Sequence, residues 1–448
     1  MDNNKRYVLI LVLMSYFITA LDGSIVITGL TKIAADLRLS QVALSWIQNA
    51  YVLAWGGFML LGGKLSDTFG RKPIMIIALL LFGIGSLFAG IADSALLMIP
   101  SRFIQGLASA IMAPTSLALI MDYFDGKERI KAVAWYSSIS GLGMCVGLVV
   151  GGALAAFGSW RIGFLINVPL TAYMIFISSR YLKASHKNAA HKKFDIAGTV
   201  LSVAGIFTFI YAINGADNWL WWMVVAIALA TVFIKLESHC ETPILPLRIF
   251  GNQSRNSAYI ARLLFTCAMM GFHFFVSEYL QQVKLFTPLQ TGIAYFPLTI
   301  STFIGALEVP KFVGKYGNRR VLFFGLAMMI VGFLSMLRID GESSYWAIAI
   351  PMLFIGFGQG LAMSPMTNLG IAGVAGKDAG VASGLVNAAH QIGCSLGLSV
   401  MVAATGNAAG FANAFHLAMI IGVAFITASF ISIFMPLIPR MLNICKSL

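Results

Sequence analysis

Few side chains in this sequence can move a proton, and those few stand where charge is costly. Asp22 lies midway along an apolar run, between Leu21 and the pair Ile25 and Val26. Away from water a carboxyl group favours its neutral form, so such an acid takes up and releases a proton as its surroundings change. An ionisable group at the centre of a membrane costs about 2.5–3.5 kcal/mol on the insertion scale, which makes each one a functional candidate. The bland alternative for Asp22 is a structural acid that hydrogen-bonds neighbouring helices. Arg102 sits in a second apolar run, 96–120. It either favours the deprotonated form of a nearby acid and couples two occupancies, or snorkels from a helix end to the outer interface.

The second half of the chain offers Glu278, beside Tyr279 and Gln281, and Glu308, near Lys311. Ion pairing at a membrane interface explains either acid as well as a direct role does. Of the histidines in apolar runs (His273, His390, His416), His390 beside Gln391 is the best cavity candidate; a neutral, hydrogen-bonded imidazole is the commoner state for all three. The five cysteines, Cys145, Cys240, Cys267, Cys394 and Cys445, have no CxxC spacing and read as packing residues, with no disulfide framework and no metal site. The stretch from His186 to Lys193 reads as a solvated linker.

Aromatic and thioether side chains supply an adaptable surface. Tyr16, Phe17, Trp46, Tyr51, Trp55, Met112, Met363, Phe274, Phe275 and Tyr279, with the polar Gln281, Asn387, His390 and Gln391, are the expected contacts for a bound molecule. Aromatic faces attract organic cations, and methionine walls repack around varied shapes. Each aromatic alone is more often structural. Together they suit a lipophilic, often cationic, molecule better than a sugar.

What positions these groups follows from composition. Apolar residues make up 59% of the 448 and charged residues 10%, and the mean hydropathy is +0.86. A soluble domain is about a quarter charged, so lipid must be the solvent for most of this exterior. Runs long enough to cross hydrocarbon fall near 7–29, 43–62, 74–92, 96–120, 131–156, 161–182, 196–214, 219–236, 257–281, 289–312, 321–337, 345–367, 381–405 and 413–436. The first run is too long for a signal-peptide core and reads as a retained helix.

The net charge of +13 is a topology signal and argues against a nucleic-acid partner. With the N-terminus inside, the inner segments hold Lys5 and Arg6, Lys64, Arg71 and Lys72, Lys127, Arg129 and Lys131, four lysines between 183 and 193, Arg248 and Arg255, Lys315, Arg319 and Arg320, and Lys377, Arg440 and Lys446. The outer loops hold Lys32, Arg38, Arg161, Lys284 and Arg338. Both termini are therefore expected in the cytoplasm.

The two ends of the chain resemble each other. Lys64-Leu65-Ser66-Asp67-Thr68-Phe69-Gly70-Arg71-Lys72 is answered by Lys311-Phe312-Val313-Gly314-Lys315-Tyr316-Gly317-Asn318-Arg319. Gln105-Gly106-Leu107-Ala108 is answered by Gln359-Gly360-Leu361-Ala362, and Gly143 and Gly147 by Gly393 and Gly397. Such a duplication is the trace of a transporter built from repeats. The expected architecture is all-α and integral to the membrane: a six-helix bundle over 1–183, a linker with two further helices over 184–256, a second six-helix bundle over 257–436, and a tail over 437–448. Gly141, Gly143, Gly147, Gly151 and Gly152 form a small-residue stripe along which helices pack closely.

At these residues the chain resembles the major facilitator superfamily, and within it the fourteen-helix drug:proton antiporter branch. Gly63-Lys64-Leu65-Ser66-Asp67-Thr68-Phe69-Gly70-Arg71-Lys72-Pro73 is close to the superfamily's signature loop after helix 2. Leu21-Asp22-Gly23-Ser24-Ile25-Val26 resembles the branch's helix 1 motif, and Arg102, Gln105 and Gly106 its helix 4 motif. Trp160-Arg161 with Phe164, Ile166-Asn167 and Pro169 resembles the start of helix 6, and Asp195, Gly198 and Leu201 the start of inserted helix 7. The helix 5 motif departs from the family's Gly-Pro-x-x-Gly-Gly, with Leu148 in place of proline, and helix 13 carries no acid.

The resemblance implies proton-coupled export of lipophilic, often cationic, drugs across the cell membrane by alternating access. Asp22, Arg102, Glu278 and Glu308 would couple protons, and Gly63, Asp67, Gly70 and Arg71 would form a gate. In that gate Gly63 permits close backbone approach, Gly70 a positive φ, and Asp67 pairs with basic residues across the bundle. No cofactor is expected beyond the proton gradient, the protein is not an enzyme, and a monomer is expected. A dedicated exporter of one metabolite or lipid precursor is the alternative on the same fold; a non-transporting sensor would normally carry a soluble signalling domain.

Overall fold

A computed structural model describes residues 3–183, 195–213, 217–239, 247–340, 342–374 and 379–434. Among them every long element is an α-helix: α1 (Asn3–Leu37), α2 (Gln41–Phe69), α3 (Arg71–Ile91), α4 (Ala95–Tyr123), α5 (Gly126–Phe157), α6 (Trp160–Leu165), α7 (Asn167–Tyr181), α8 (Ile196–Ile213), α9 (Trp219–His239), α10 (Gln253–Gln282), α11 (Pro288–Ala294), α12 (Phe296–Tyr316), α13 (Asn318–Met336), α14 (Trp346–Ile371), α15 (Ala379–Thr405) and α16 (Phe411–Ser432). Eleven helical stretches among the described residues are long and apolar enough to cross a membrane. The three long helices outside that figure, α2, α5 and α8, lie where the sequence reading put its second, fifth and seventh spans. The linker lysines between 187 and 193, Lys377, and the tail with Arg440 and Lys446 lie outside the described residues.

Two expected spans are broken helices. The run 161–182 divides into α6 and α7 at Ile166, and the run 289–312 into α11 and α12 at Tyr295. Each break is followed within three residues by a proline, Pro169 or Pro297. Proline has no N–H to donate and fits the first turn of a helix, where that donor is not needed.

Contacts divide the chain into two compact units. One comprises 1–212, 216–244 and 286–293; the other 213–215, 245–285 and 294–448. Within the first, α5 lies against α1, and a Cβ on Gly147 would stand 2.9 Å from the Leu21 carbonyl oxygen. α2 lies against α4, where a Cβ on Gly106 would overlap the Tyr51 carbonyl. Leu11, Val12, Met75, Leu79, Phe82, Met112 and Leu119 are among the buried residues of this unit's apolar core.

The second unit repeats the scheme. Gly393 and Gly397 face Leu263 and Cys267 of α10, and Gly360 faces the Thr302 carbonyl of α12. A single glycine in the left-handed region joins each pair of helices at the repeated loop: Gly70 (φ 96°, ψ 147°) between α2 and α3, and Gly317 (φ 79°, ψ 157°) between α12 and α13. A side chain there would clash with its own backbone, so the turn selects glycine. Cys267 and Cys394 are free and buried. The side chain of Cys145, and all of Cys240 and Cys445, lie outside what the structure describes.

Candidate functional site

Inside the first unit, four helices bring charged, amide and hydroxyl side chains to one point. Asp22 on α1 is 1% exposed, and Arg102 and Gln105 on α4, Ser86 on α3 and Asn167 on α7 are fully buried. One carboxylate oxygen of Asp22 is ion-paired with Arg102 Nη1. The other accepts from Gln105 Nε2 at 2.9 Å and from Asn167 Nδ2 at 3.0 Å. Arg102 donates further to Gln105 Oε1 at 2.8 Å and to the Ile47 carbonyl at 3.2 Å. Gln105 Nε2 also reaches Ser86 Oγ at 2.7 Å.

Aromatic rings enclose the pair. The Arg102 guanidinium lies 4.3 Å from the Tyr51 ring centroid and 5.6 Å from that of Phe164. Tyr51 is itself held by Ser109 Oγ at 3.1 Å and the Thr19 carbonyl at 3.4 Å. Arg102 is therefore not a helix-end residue reaching for an interface. Removing one partner of such a pair leaves an uncompensated buried charge, at a cost of about 3–5 kcal/mol. A proton on Asp22 has the same local consequence: the anion that holds Arg102 disappears.

Gln105 was visible only within the internal repeat and a family-like motif, Asn167 only within a family-like motif, and Ser86 not at all. Gln105 stands three residues after Arg102, on the same helix face, and that spacing was the available signal. A polar residue inside an apolar run was the signal for Asn167.

At the repeated loop, Arg71 is ion-paired with Asp67 and, through Nε, with Asp122 on α4 at 3.1 Å. Burial works against this guanidinium, but the two carboxylates outweigh it and hold its pKa above the ordinary arginine value. The Asp67 contact is thus local, one turn along the chain across Gly70, rather than across the bundle. The close approach expected at Gly63 belongs to its neighbour. A Cβ on Gly63 would sit at an ordinary 3.6 Å from Pro114 Cβ, whereas on Gly62 it would overlap the Ala110 carbonyl.

The remaining candidates scatter. Tyr16 stacks on Tyr136 at 4.5 Å, Trp46 faces Phe207 at 6.3 Å, and Trp55 lies 5.6 Å from Tyr51. The Phe17 carbonyl faces Gly143, and Met112 is enclosed in the core. In the second unit Phe274 packs on Phe275, and Phe275 on Phe411. Tyr279 is enclosed against Phe415 and donates its hydroxyl to the Asp340 carbonyl. Gln281 bonds back to Ser277. Asn387 is exposed, Gln391 buried, and His390 half-buried with no hydrogen-bond partner for Nδ1 among the described residues. The Met363 carbonyl accepts from Arg262 Nη1 at 3.1 Å.

Glu308 pairs with Lys311 at 3.6 Å, the interfacial arrangement the sequence allowed. Glu278 is fully buried and accepts from Gln282 at 3.3 Å. Two further acids are buried at the inserted helices, Asp195 (8% exposed) just before α8 and Glu237 (3% exposed) in α9, their carboxylates facing the same point beside Gly198. Sequence reading gave Asp195 only as part of a family-like motif and gave Glu237 no part.

A family model of the major facilitator superfamily matches residues 12–398. The chain belongs to that superfamily. It is 29% identical over 92% of its length to a puromycin resistance protein of Streptomyces alboniger, spanning 84% of that protein. It is 29% identical over 89% of its length to the cephamycin export protein CmcT of Amycolatopsis lactamdurans, spanning 85% of it. Identity to the multidrug resistance protein Stp of Mycobacterium tuberculosis is 28%, over 90% of this chain and 76% of that one. Among solved structures, a bacterial homologue of the lysosomal transporter Spinster aligns with a TM-score of 0.71 at 15% identity, over 97% of both chains. The nucleoside transporter NupG aligns at 0.68 and 15%, over 97% of this chain and 99% of that one. At such identity these two establish the fold alone. As a member of the superfamily, the chain is a multi-pass membrane transporter and not an enzyme.

Proposed function

We propose that this superfamily member exports lipophilic, often cationic, organic compounds across the cell membrane in exchange for protons. The observation that carries the reading is the fully buried Asp22–Arg102 pair, held by Gln105 and Asn167. It is a proton acceptor whose charge is balanced by a fixed cation, and protonation releases that cation from its partner. Such a pair gives α1, α2, α4 and α7 two arrangements, one for each protonation state, and alternating access needs a two-state element of this kind. Asp67, Arg71 and Asp122 tie the ends of α2, α3 and α4 together and serve as the gate. About fourteen spans, both termini in the cytoplasm, a monomer and no bound cofactor complete the proposal.

The names of the relatives support a drug-like cargo: resistance to puromycin, and multidrug resistance. A second reading, a dedicated exporter of one compound, is favoured by the relative named for cephamycin export alone. Exchange of one proton for one monovalent cation moves no net charge and draws only on the pH difference. A neutral cargo also uses the membrane potential, about 2.3 kcal/mol per charge at 100 mV. Dye efflux across a panel of cationic and neutral compounds, with and without a protonophore, tests both readings. Broad efflux stopped by the protonophore supports drug export, and efflux of a single compound supports the second reading. Efflux that ignores the protonophore overturns proton coupling.

A further inference from the structure

The second unit holds a groove of about 790 Å³ where α12, α13, α14 and the end of α16 meet. Its size falls within the range of small-molecule sites, about 300–1,000 Å³. Its walls are aromatic and aliphatic, with Phe323, Phe324, Met328 and Phe357 among them, and its polar rim includes Arg319 and Arg320. Arg320, Phe324 and Met328 follow at four-residue steps along α13, so one helix face runs from cation to aromatic ring to thioether. At 1.5 Å per residue that face spans about 12 Å. Phe324 is 67% exposed, and Arg320 is exposed with no hydrogen bond or ion pair among the described residues. Arg319 bonds the Ile433 carbonyl at the end of α16, which fixes a second cation at the rim.

Comparison with the repeated loop of the first unit sharpens the point. There the cation Arg71 is balanced by Asp67 and Asp122. In the second loop Gly314 stands where Asp67 does, and the segment 311–320 carries Lys311, Lys315, Arg319 and Arg320 with no acid. The nearby Glu308 is engaged by Lys311. Arg320 has no anion to balance it among the described residues.

We propose that the groove binds one anionic phospholipid, its phosphate on Arg320 beside Arg319 and its acyl chains along Phe324, Met328 and Phe357. Arginine and phosphate form charge-assisted hydrogen bonds, and basic pockets between membrane helices on the cytoplasmic side take lipid headgroups. On the topology proposed above, this end of α13 is cytoplasmic, which gives the lipid the leaflet it needs. The site is separate from the Asp22 network, and its test reads lipid retention rather than transport.

The experiment is native mass spectrometry of the full-length protein in detergent, titrated with phosphatidylglycerol and, separately, with phosphatidylcholine of the same acyl chains. The protein is expected to retain one phosphatidylglycerol about fivefold more tightly, the equivalent of about 1 kcal/mol for one basic residue at a membrane surface. Arg320→Ala is expected to erase the preference, Arg320→Lys to keep most of it, and Phe324→Ala to weaken both lipids alike. Equal retention of the two lipids overturns the proposal; so does an unchanged preference in Arg320→Ala, or no effect of Phe324→Ala. If the segment 435–448 or a second copy of the chain fills the groove instead, the full-length protein shows no preference, which also overturns it.

Discussion

Gly143 and Gly147 bring α5 against α1 at Phe17 and Leu21, and Gly393 and Gly397 bring α15 against α10 at Leu263 and Cys267. One residue past Leu21 is Asp22; one residue past Cys267 is Ala268. Gln105 stands three residues after Arg102, and its counterpart Gln359 three residues after Gly356. The two units thus share the backbone contacts that let helices lie close, while the buried ion pair occurs at these places in one unit only. The shared glycines follow from packing, which both units need. The charges follow from chemistry, and one copy of a proton site is enough for it. Gln105 makes three hydrogen bonds through its amide, whereas Gln359 Oε1 has no partner among the described residues.

Breaking the pair should have the largest effect. Arg102→Leu leaves the Asp22 carboxylate buried without its cation and is expected to destabilise the protein by about 3–5 kcal/mol. Adding Asp22→Asn should restore much of the loss, because the stranded charge goes with it. Thermal unfolding in detergent, read as a double-mutant cycle, checks this. Additive losses would mean that the two side chains do not act as a pair.

The amides come next. Gln105→Ala should cost about 1–3 kcal/mol, since it leaves donors and acceptors around Asp22 unsatisfied, while Gln359→Ala should cost well under half as much. Similar melting temperatures for the two variants would erase the contrast between the units. The loop glycines should show the smallest difference between the units. Gly70→Ala and Gly317→Ala each force a Cβ into a positive-φ, extended-ψ conformation that only glycine adopts readily, at about 1–3 kcal/mol, and the two shifts in melting temperature should agree closely. A much larger loss at Gly70 would point to work at that loop beyond the turn itself.

The helices were legible because hydrocarbon demands long apolar runs, and their breaks at Ile166 and Tyr295 were hidden because each run stays apolar through its proline. Asp22 and Arg102 were legible as single charges in such runs, though nothing in the spacing of residues 80 apart says that they touch. Gln105 and Asn167 were legible only as members of motifs and Ser86 not at all, because an uncharged polar residue in a membrane helix is common and its partners come from other helices. The acids Asp195 and Glu237 sit near the ends of α8 and α9, where the sequence reads as an interface, and only packing shows them buried. Gly62 and Gly63 cannot be told apart in sequence; the facing helix α4 distinguishes them.

Asp22→Asn keeps the size of the side chain and one acceptor for Gln105 and Asn167, but it can no longer exchange a proton. Reconstituted in vesicles with an imposed pH difference and a pH-sensitive dye inside, the native protein should move protons in response to a transported organic cation. The variant should bind that cation yet move fewer than about one proton for every hundred moved by the native protein, the lower end of what a positioned proton-transfer group contributes. Proton movement at the native rate by a correctly folded Asp22→Asn protein would contradict the assignment of Asp22 as the coupling acid.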